Sequence, residues 1–356
     1  MSVRKDVFLS RNLYSFDSSN LIDILQSFPE QFPKGRELAL EIEIPESYRS
    51  VRNVLFTAMG GSAIGGNLTK DYIESSYPVP VSVSKTYSVP KFASEDTLAF
   101  VFSYSGNTEE TIASYEELKK VGAKVVAVAS GGKLEELTSK DGLPFVKIPS
   151  GLPPRTSTGY TVSIALTIME RLSLIPSQEE FLEEAYQVMK KRVSGLSPEV
   201  HQDENEAKRL AFELAGYVPL IYGYQPGFAS VAYRWKIFIN ENAKTFAFNN
   251  FYPELDHNEI VAWESPLDLT KRFAVIHLFD AGAPERIRKR YIITGDLIKD
   301  KAGKFLEVES TGDSLLARIF SLVVLGDHVS YYLALLRGVD PTPIRIIDVL
   351  KREMAK

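Results

Sequence analysis

Short apolar runs that end in small or hydroxylated residues alternate along this chain with stretches of helical spacing. In the first half the runs are Val51–Met59, Val79–Ser84, Leu98–Phe102, Val125–Ala129 and a weaker Phe145–Ile148. Runs of this length, apolar on both faces, read as buried parallel strands. The helical stretches include one amphipathic helix near 20–40, carrying Leu21, Ile22, Ile24, Leu25 and Phe28 and then a break at Pro29. A second, over 109–120, places Ile112, Tyr115 and Leu118 on one face. Helical patterns at 160–174, 178–195 and 202–214 follow, and then the strand–helix alternation restarts. Its strands are Val218–Gly223, a short Thr245–Phe248, Phe273–Phe279 and Phe305–Val308, with helices at 228–240, 286–298, 314–336 and after Asp340-Pro341-Thr342-Pro343. Strands alternating with helices imply parallel sheets covered on both faces. The expected fold is therefore α/β, two three-layer αβα domains in tandem with mainly parallel sheets, divided as residues 1–195 and 196–356.

A chain of 356 residues fits two such domains, and 44% hydrophobic residues supply their cores. The net charge of -5 argues against nucleic-acid partners and polybasic membrane surfaces. The absence of cysteine excludes disulfides, thiol catalysis and cysteine-based metal sites. The N-terminal Met1-Ser2-Val3-Arg4-Lys5-Asp6 has no apolar signal core, and no uninterrupted apolar run approaches the roughly 18 residues of a membrane span. A soluble, cytoplasmic protein is expected.

The chemistry concentrates in a few stretches. Ser103-Tyr104-Ser105-Gly106-Asn107-Thr108-Glu109-Glu110-Thr111 joins a strand to a helix N-terminus. Unpaired N–H groups there, with the hydroxyls of Ser103, Ser105 and Thr108, suit a phosphate monoester. An ordinary capping turn, with Asn107 or Ser105 as cap and Glu110 completing a capping box, needs only one hydroxyl. Gly60-Gly61-Ser62-Ala63-Ile64-Gly65-Gly66 ends the first strand, ahead of a helix expected near 67–74. It lacks dinucleotide-fingerprint and Walker-loop spacing, so its glycines suit close approach to a small ligand, with Ser62 adding a fourth hydroxyl, or tight strand–helix packing.

Arg155 lies in the loop Pro153-Pro154-Arg155-Thr156-Ser157, where a lone arginine is ordinarily solvated. The densest cluster is Asn240-Glu241-Asn242-Ala243-Lys244 followed by Phe251-Tyr252-Pro253-Glu254-Leu255-Asp256-His257-Asn258-Glu259. Asn240 and Asn242 flank Glu241 as candidates to orient it, and Glu254, Asp256 and Glu259 surround His257. His201 reads as solvated, His277 as structural and His328 as packed. No metal-ligand spacing occurs. Near the C-terminus, Lys351 and Arg352 end an amphipathic helix, and spacing alone does not choose between them.

Together these motifs resemble the bifunctional phosphoglucose/phosphomannose isomerase family, whose halves are sugar isomerase (SIS) domains, over nearly the whole chain. The resemblance is carried by the serine/threonine turn, the Gly-Gly-Ser segment, the Pro-Arg loop, Asn-Glu-Asn-Ala-Lys, Pro-Glu-Leu-Asp-His-Asn-Glu and the terminal Leu-Lys. It implies interconversion of glucose 6-phosphate and mannose 6-phosphate with fructose 6-phosphate, without metal or cofactor. Gly61, Ser62, Ser103, Ser105 and Thr108 would bind the phosphate, and Glu241 would be the base. His257 would open the sugar ring, Lys351 would lie in the active site, and Arg155 would stabilise an enediolate. It further implies a homodimer in which the histidine comes from the neighbouring subunit. The alternatives are an isomerase for one epimer only, or a phosphosugar-sensing regulator without catalysis. A regulator would ordinarily append a DNA-binding domain, and residues 1–50 contain no basic helix-turn-helix pattern.

Overall fold

The computed structural model describes residue 8 and residues 11–354. In chain order the first elements are α1 (Arg11–Tyr14), α2 (Leu21–Gln26), α3 (Gln31–Glu41), β1 (Asn53–Ala58), α4 (Gly60–Ser76), β2 (Val81–Ser84) and β3 (Thr97–Phe102). Then follow α5 (Glu109–Lys120), β4 (Lys124–Ala129), α6 (Lys133–Asp141), β5 (Phe145–Lys147), α7 (Thr158–Arg171), α8 (Glu179–Ser194) and α9 (Glu206–Leu214). The chain continues with β6 (Val218–Tyr224), α10 (Ala229–Ala243), β7 (Phe248–Tyr252), α11 (Leu267–Thr270), β8 (Phe273–Phe279), α12 (Glu285–Ile298), β9 (Lys304–Glu309), α13 (Leu315–Leu336) and α14 (Arg345–Met354).

Two compact units result. One comprises Ser27–Val188 with Gly312–Ala317; the other comprises the described residues up to Gln26, Met189–Thr311 and residues from Arg318 onward. The chain therefore divides less simply than at 195/196. Residues near the N-terminus pack with the second half because Gln26 meets His328 and Ser18 meets Asp340 through side-chain hydrogen bonds.

The first unit holds a five-stranded sheet in the order β2-β1-β3-β4-β5, and every pair is parallel. β3 is buried at every position, as a strand covered on both faces must be. Leu55, Ala99 and Val101 face a core that includes Tyr115 and Leu118 of α5. The alternate residues Phe56, Phe100 and Phe102 stack on the other face, with neighbouring rings 5.0–6.0 Å apart. α4 covers that face, and Gly66 is needed there because a Cβ would lie 2.9 Å from the Phe56 side chain.

The second unit repeats the plan with four parallel strands in the order β7-β6-β8-β9. Its core includes Ile221, Tyr222, Val275, Ile276, Trp235 and Phe238, all at most 1% exposed. α13 is long and apolar enough to cross a membrane, with a mean hydropathy of 1.6, but 94% of that stretch is buried, so it is a core helix.

Three local expectations change. The helix after β1 starts at Gly60, so the glycine segment forms its first two turns rather than a loop. β7 begins at Phe248, so it runs directly into the His257 turn. The apolar pattern near 20–40 splits into α2 and α3, with Pro33 in the first turn of α3, where its missing N–H costs nothing.

Candidate active site

The order 2-1-3-4-5 reverses direction between β1 and β3, and open parallel sheets bind ligands beyond the strand C-termini at such a point. β1 and β3 end in register, Ala58 opposite Phe102, so the Gly60 and Ser103 segments emerge side by side. Ser103 is buried and its hydroxyl donates to Thr108 Oγ1 at 2.9 Å while accepting from the Thr108 N–H at 3.3 Å. Ser105 is exposed, and its hydroxyl accepts from the Asn107 N–H at 3.3 Å. Gly106 has φ +69, and any Cβ there would collide with the Gly131 carbonyl. Asn107 turns away from α5, its Oδ1 accepting from the Lys133 N–H at 2.9 Å.

The N-cap of α5 is Thr108, and its side chain makes no capping bond. Neither Asn107 nor Ser105 caps the helix. The hydroxyl-lined turn thus presents a helix N-terminus that no cap side chain satisfies.

α4 starts beside this turn, also without a side-chain cap, and its Ser62 is 7% exposed. A Cβ on Gly61 would lie 2.7 Å from the Arg155 backbone nitrogen and nearer still to its Cα. Gly61 therefore seats the Arg155 loop against the start of α4, a loop–helix contact rather than the strand–helix packing considered for that glycine. Arg155 itself is 2% exposed, not solvated as a lone loop arginine would be. Tyr104 ties the same loop to the serine turn: its hydroxyl donates to the Pro149 carbonyl at 3.1 Å and accepts from the Leu152 N–H at 2.7 Å. The sequence reading assigned Tyr104 no role, because a tyrosine inside a hydroxyl-rich turn carries no distinguishing signal.

In the second unit, Glu241 lies in the last turn of α10 and lines a groove of about 540 Å³ with Asn240, Lys244, Asp340, Pro343 and Ile347. Its asparagine neighbours make bonds of their own. Asn240 Nδ2 donates to the Thr245 carbonyl at 2.7 Å, and the buried Asn242 donates to Ser330 Oγ at 2.9 Å. Lys244 closes α10 in the left-handed conformation, φ 52, and its Nζ donates to the carbonyls of Glu241 and Pro341. It thereby joins two walls of the groove, a role that a lysine at a helix end does not advertise. Lys351 is exposed on α14, one turn beyond Ile347, which lines the groove. Ile344, Arg345, Ile346 and Ile347 all line the groove, so helix rotation does not separate Lys351 from Arg352.

His257 ends a 3-10 turn that follows β7 and is exposed. Its acidic neighbours have other partners. Glu254 Oε1 accepts from Asn258 Nδ2 at 2.7 Å, and Asp256 accepts from Arg290 at 2.8 Å and Thr294 at 2.9 Å. Glu259 accepts from Tyr222 at 2.6 Å and Asn250 at 2.7 Å, pinning the turn to β6 and β7. α10 runs back along the sheet after β6, so Glu241 and His257 stand at opposite ends of β7, roughly 15 Å or more apart for five residues of strand.

The remaining histidines match their sequence reading. His201 is partly exposed beside Asp203. Burial pushes His277 down to about 3, with Tyr252 OH 3.0 Å from its Nε2. Burial likewise takes His328 to about 4. Among the described residues, no three His, Asp or Glu side chains gather as metal ligands would.

Two family models match the chain: the SIS domain over residues 47–135 and the bacterial phospho-glucose isomerase C-terminal SIS domain over residues 203–354. The bifunctional phosphoglucose/phosphomannose isomerase of Caldicellulosiruptor bescii is 40% identical, covering 94% of this chain and 99% of that protein. Its namesake in Aquifex aeolicus is 34% identical over 88% of this chain and 94% of that protein. A solved glucose-6-phosphate isomerase like protein from Thermus thermophilus shares the fold, with a TM-score of 0.63 at 20% identity, covering 94% of this chain and 96% of that one.

Proposed function

The chain belongs to the bifunctional phosphoglucose/phosphomannose isomerase family, and from that premise we propose how its residues share the reaction. The protein is an aldose–ketose isomerase that interconverts glucose 6-phosphate and mannose 6-phosphate with fructose 6-phosphate. The two aldoses differ only at C2 and give one enediol, so one proton carrier serves both. The phosphate is anchored by Ser103, Ser105, Thr108 and Ser62 at the starts of α5 and α4, with Gly61 allowing the close approach. Glu241 moves the proton between C1 and C2 as a general base. Arg155 stabilises the cis-enediolate, a task suited to a guanidinium that stays charged and donates a planar fork. His257 opens the ring, and Lys351 assists at the ring or O1 oxygens. Neither a metal nor a cofactor enters this scheme.

The separation of Glu241 from His257 within one chain supports a homodimer in which each histidine serves the neighbouring subunit. Functionally, residues 1–195 carry the anchor and Arg155, while residues 196–356 carry Glu241, His257 and Lys351. A soluble, cytoplasmic enzyme without nucleic-acid or membrane partners fits this role.

The observation that carries the reading is that Glu241 stands in the last turn of α10 and lines a groove with Lys244, Asp340 and Ile347. Glu241→Gln keeps the shape and removes the basicity. It lowers kcat by at least about 10²-fold and abolishes exchange of the C2 proton with solvent deuterium, while KM changes little. Assays run in EDTA give the same wild-type rate. A Gln variant that still exchanges the proton at the wild-type rate hands the role to another carboxylate.

A further inference from the structure

We propose that the buried Arg234–Asp327 pair, backed by Asn242–Ser330, is a clamp that fixes the roll of α10 and so aims the Glu241 carboxylate. The proposal rests on the reading of Glu241 as the base. Arg234 is fully buried and holds Asp327 through two bonds, Nε to Oδ1 at 3.0 Å and Nη2 to Oδ2 at 2.7 Å. Its guanidinium lies over the Phe238 ring, 4.1 Å from the centroid. Two turns further along α10, Asn242 donates to Ser330 Oγ, which in turn donates to the Asp327 carbonyl at 2.6 Å. Between these points Trp235 Nε1 donates to the Leu322 carbonyl at 2.8 Å, and Gly326 leaves room for the indole that any Cβ would strike. α10 is thus joined to α13 at two levels, by Arg234 and Trp235 at one and Asn242 at the other, each with a directional bond.

Stability alone does not call for this arrangement. Removing two charges from water offsets most of their attraction, and apolar residues of similar size pack a helix pair as well or better. The ion pair also sits in the middle of the most apolar helix of the chain. What a planar, two-bond pair supplies is a unique rotation and axial register.

Glu241 is seven residues beyond Arg234, hence about 20° from it around the helix and roughly 10 Å along it. It continues the stripe the clamp defines. A side-chain tip about 6 Å from the helix axis moves about 1 Å for a 10° roll. Misplacement of that size is enough to slow a proton transfer by about 10²-fold. Arg234 and Asp327 are positioning residues on this account, since they act only through Glu241.

The test is Arg234→Met with Asp327→Leu, which removes both charges together so that neither is left unpaired. The expected result is a folded protein with unchanged or higher Tm, KM for fructose 6-phosphate within twofold of wild type, and kcat and C2 proton exchange both lowered at least tenfold. A merely structural role would lower Tm and leave kcat per folded molecule intact. If the double variant does not fold, Asn242→Leu with Ser330→Ala keeps the ion pair and is expected to lower kcat several-fold at constant KM. With Glu241→Gln inactive, a folded clamp variant whose kcat stays within twofold of wild type overturns this inference alone. A Glu241→Gln variant that exchanges normally overturns the base assignment and the clamp with it.

Discussion

The two sheets reverse direction at equivalent places, yet the two switch points are built oppositely. In the first unit, the residue after β3 is Ser103, and a hydroxyl turn leads to a helix start that no side chain caps. In the second, the residue after β8 is Asp280, fully buried. Its carboxylate accepts from Tyr224 OH at 2.7 Å and Ser310 Oγ at 2.9 Å, and Arg318 Nε lies 2.8 Å away. Gly282 turns its N–H to the same oxygen, and a Cβ on that glycine would meet the Arg318 guanidinium at 2.7 Å or closer. The second switch point thus supplies its own anion and its own donors. One fold plan yields a switch point left uncapped and a switch point filled by its own side chains. The chemistry of the residue after the third strand separates them.

The largest expected effect comes from breaking the open switch point. Ser105→Ala with Thr108→Val removes two hydroxyls that would bond the phosphate, each charge-assisted bond being worth roughly 1.5–3 kcal/mol. KM for all three hexose 6-phosphates rises by roughly 10² to 10⁴ if the losses add. The turn keeps its Gly106 N–H to Ser103 carbonyl bond at 2.9 Å, while the buried Ser103 hydroxyl loses Thr108 Oγ1 as acceptor, so stability falls by about 1–3 kcal/mol. An unchanged KM would remove the turn from the reaction.

The converse experiment breaks the closed one. Asp280→Ala leaves Arg318 beside a buried gap and three donors without their acceptor. Removing one partner of a buried pair costs about 3–5 kcal/mol, so the denaturation midpoint falls steeply. KM of the folded fraction stays at the wild-type value. A variant that loses substrate affinity before it loses stability would mean that this switch point also serves the ligand.

Most of the fold was legible because it rests on pattern. β3, β6 and β8 lie within a residue or two of their apolar runs, and α13 within one residue of its expected span. The strand, turn and helix start around Ser103 were legible from the same pattern, and the turn is found with a Thr108 N-cap whose side chain makes no capping bond. What escaped depends on tertiary contact. The early start of α4 follows from glycines that accept Phe56, Thr161 and Arg155 at close range, and nothing local announces those neighbours. Asp280 and Asp327 gain meaning only from Arg318 and Arg234, which lie 38 and 93 residues away in sequence. The asparagines beside Glu241 read locally as its supports, but helix rotation sends one to Ser330 and the other to Thr245.

The smallest effect comes from the packed interior of the second unit, through a histidine that no proposed chemistry uses. His328 is completely buried, with Nδ1 2.7 Å from the Val324 carbonyl and Nε2 2.9 Å from Gln26 Nε2. A carbonyl can only accept, so Nδ1 carries the proton and Nε2 accepts from the Gln26 amide, which fixes the neutral ring. Burial lowers the folded value to about 4 from 6.5. The unfolded chain therefore binds more protons between about pH 4 and 6.5, and stability must rise with pH through that window. From pH 7 to pH 5 this one group removes about 2 kcal/mol of unfolding free energy. His328→Gln is expected to flatten the pH dependence by that amount in denaturant titrations at the two pH values, whatever it does to stability at pH 7. Because the ring touches no proposed catalytic group, the pH profile of kcat/KM stays unchanged in the same variant. A shifted activity profile would place His328 in the reaction.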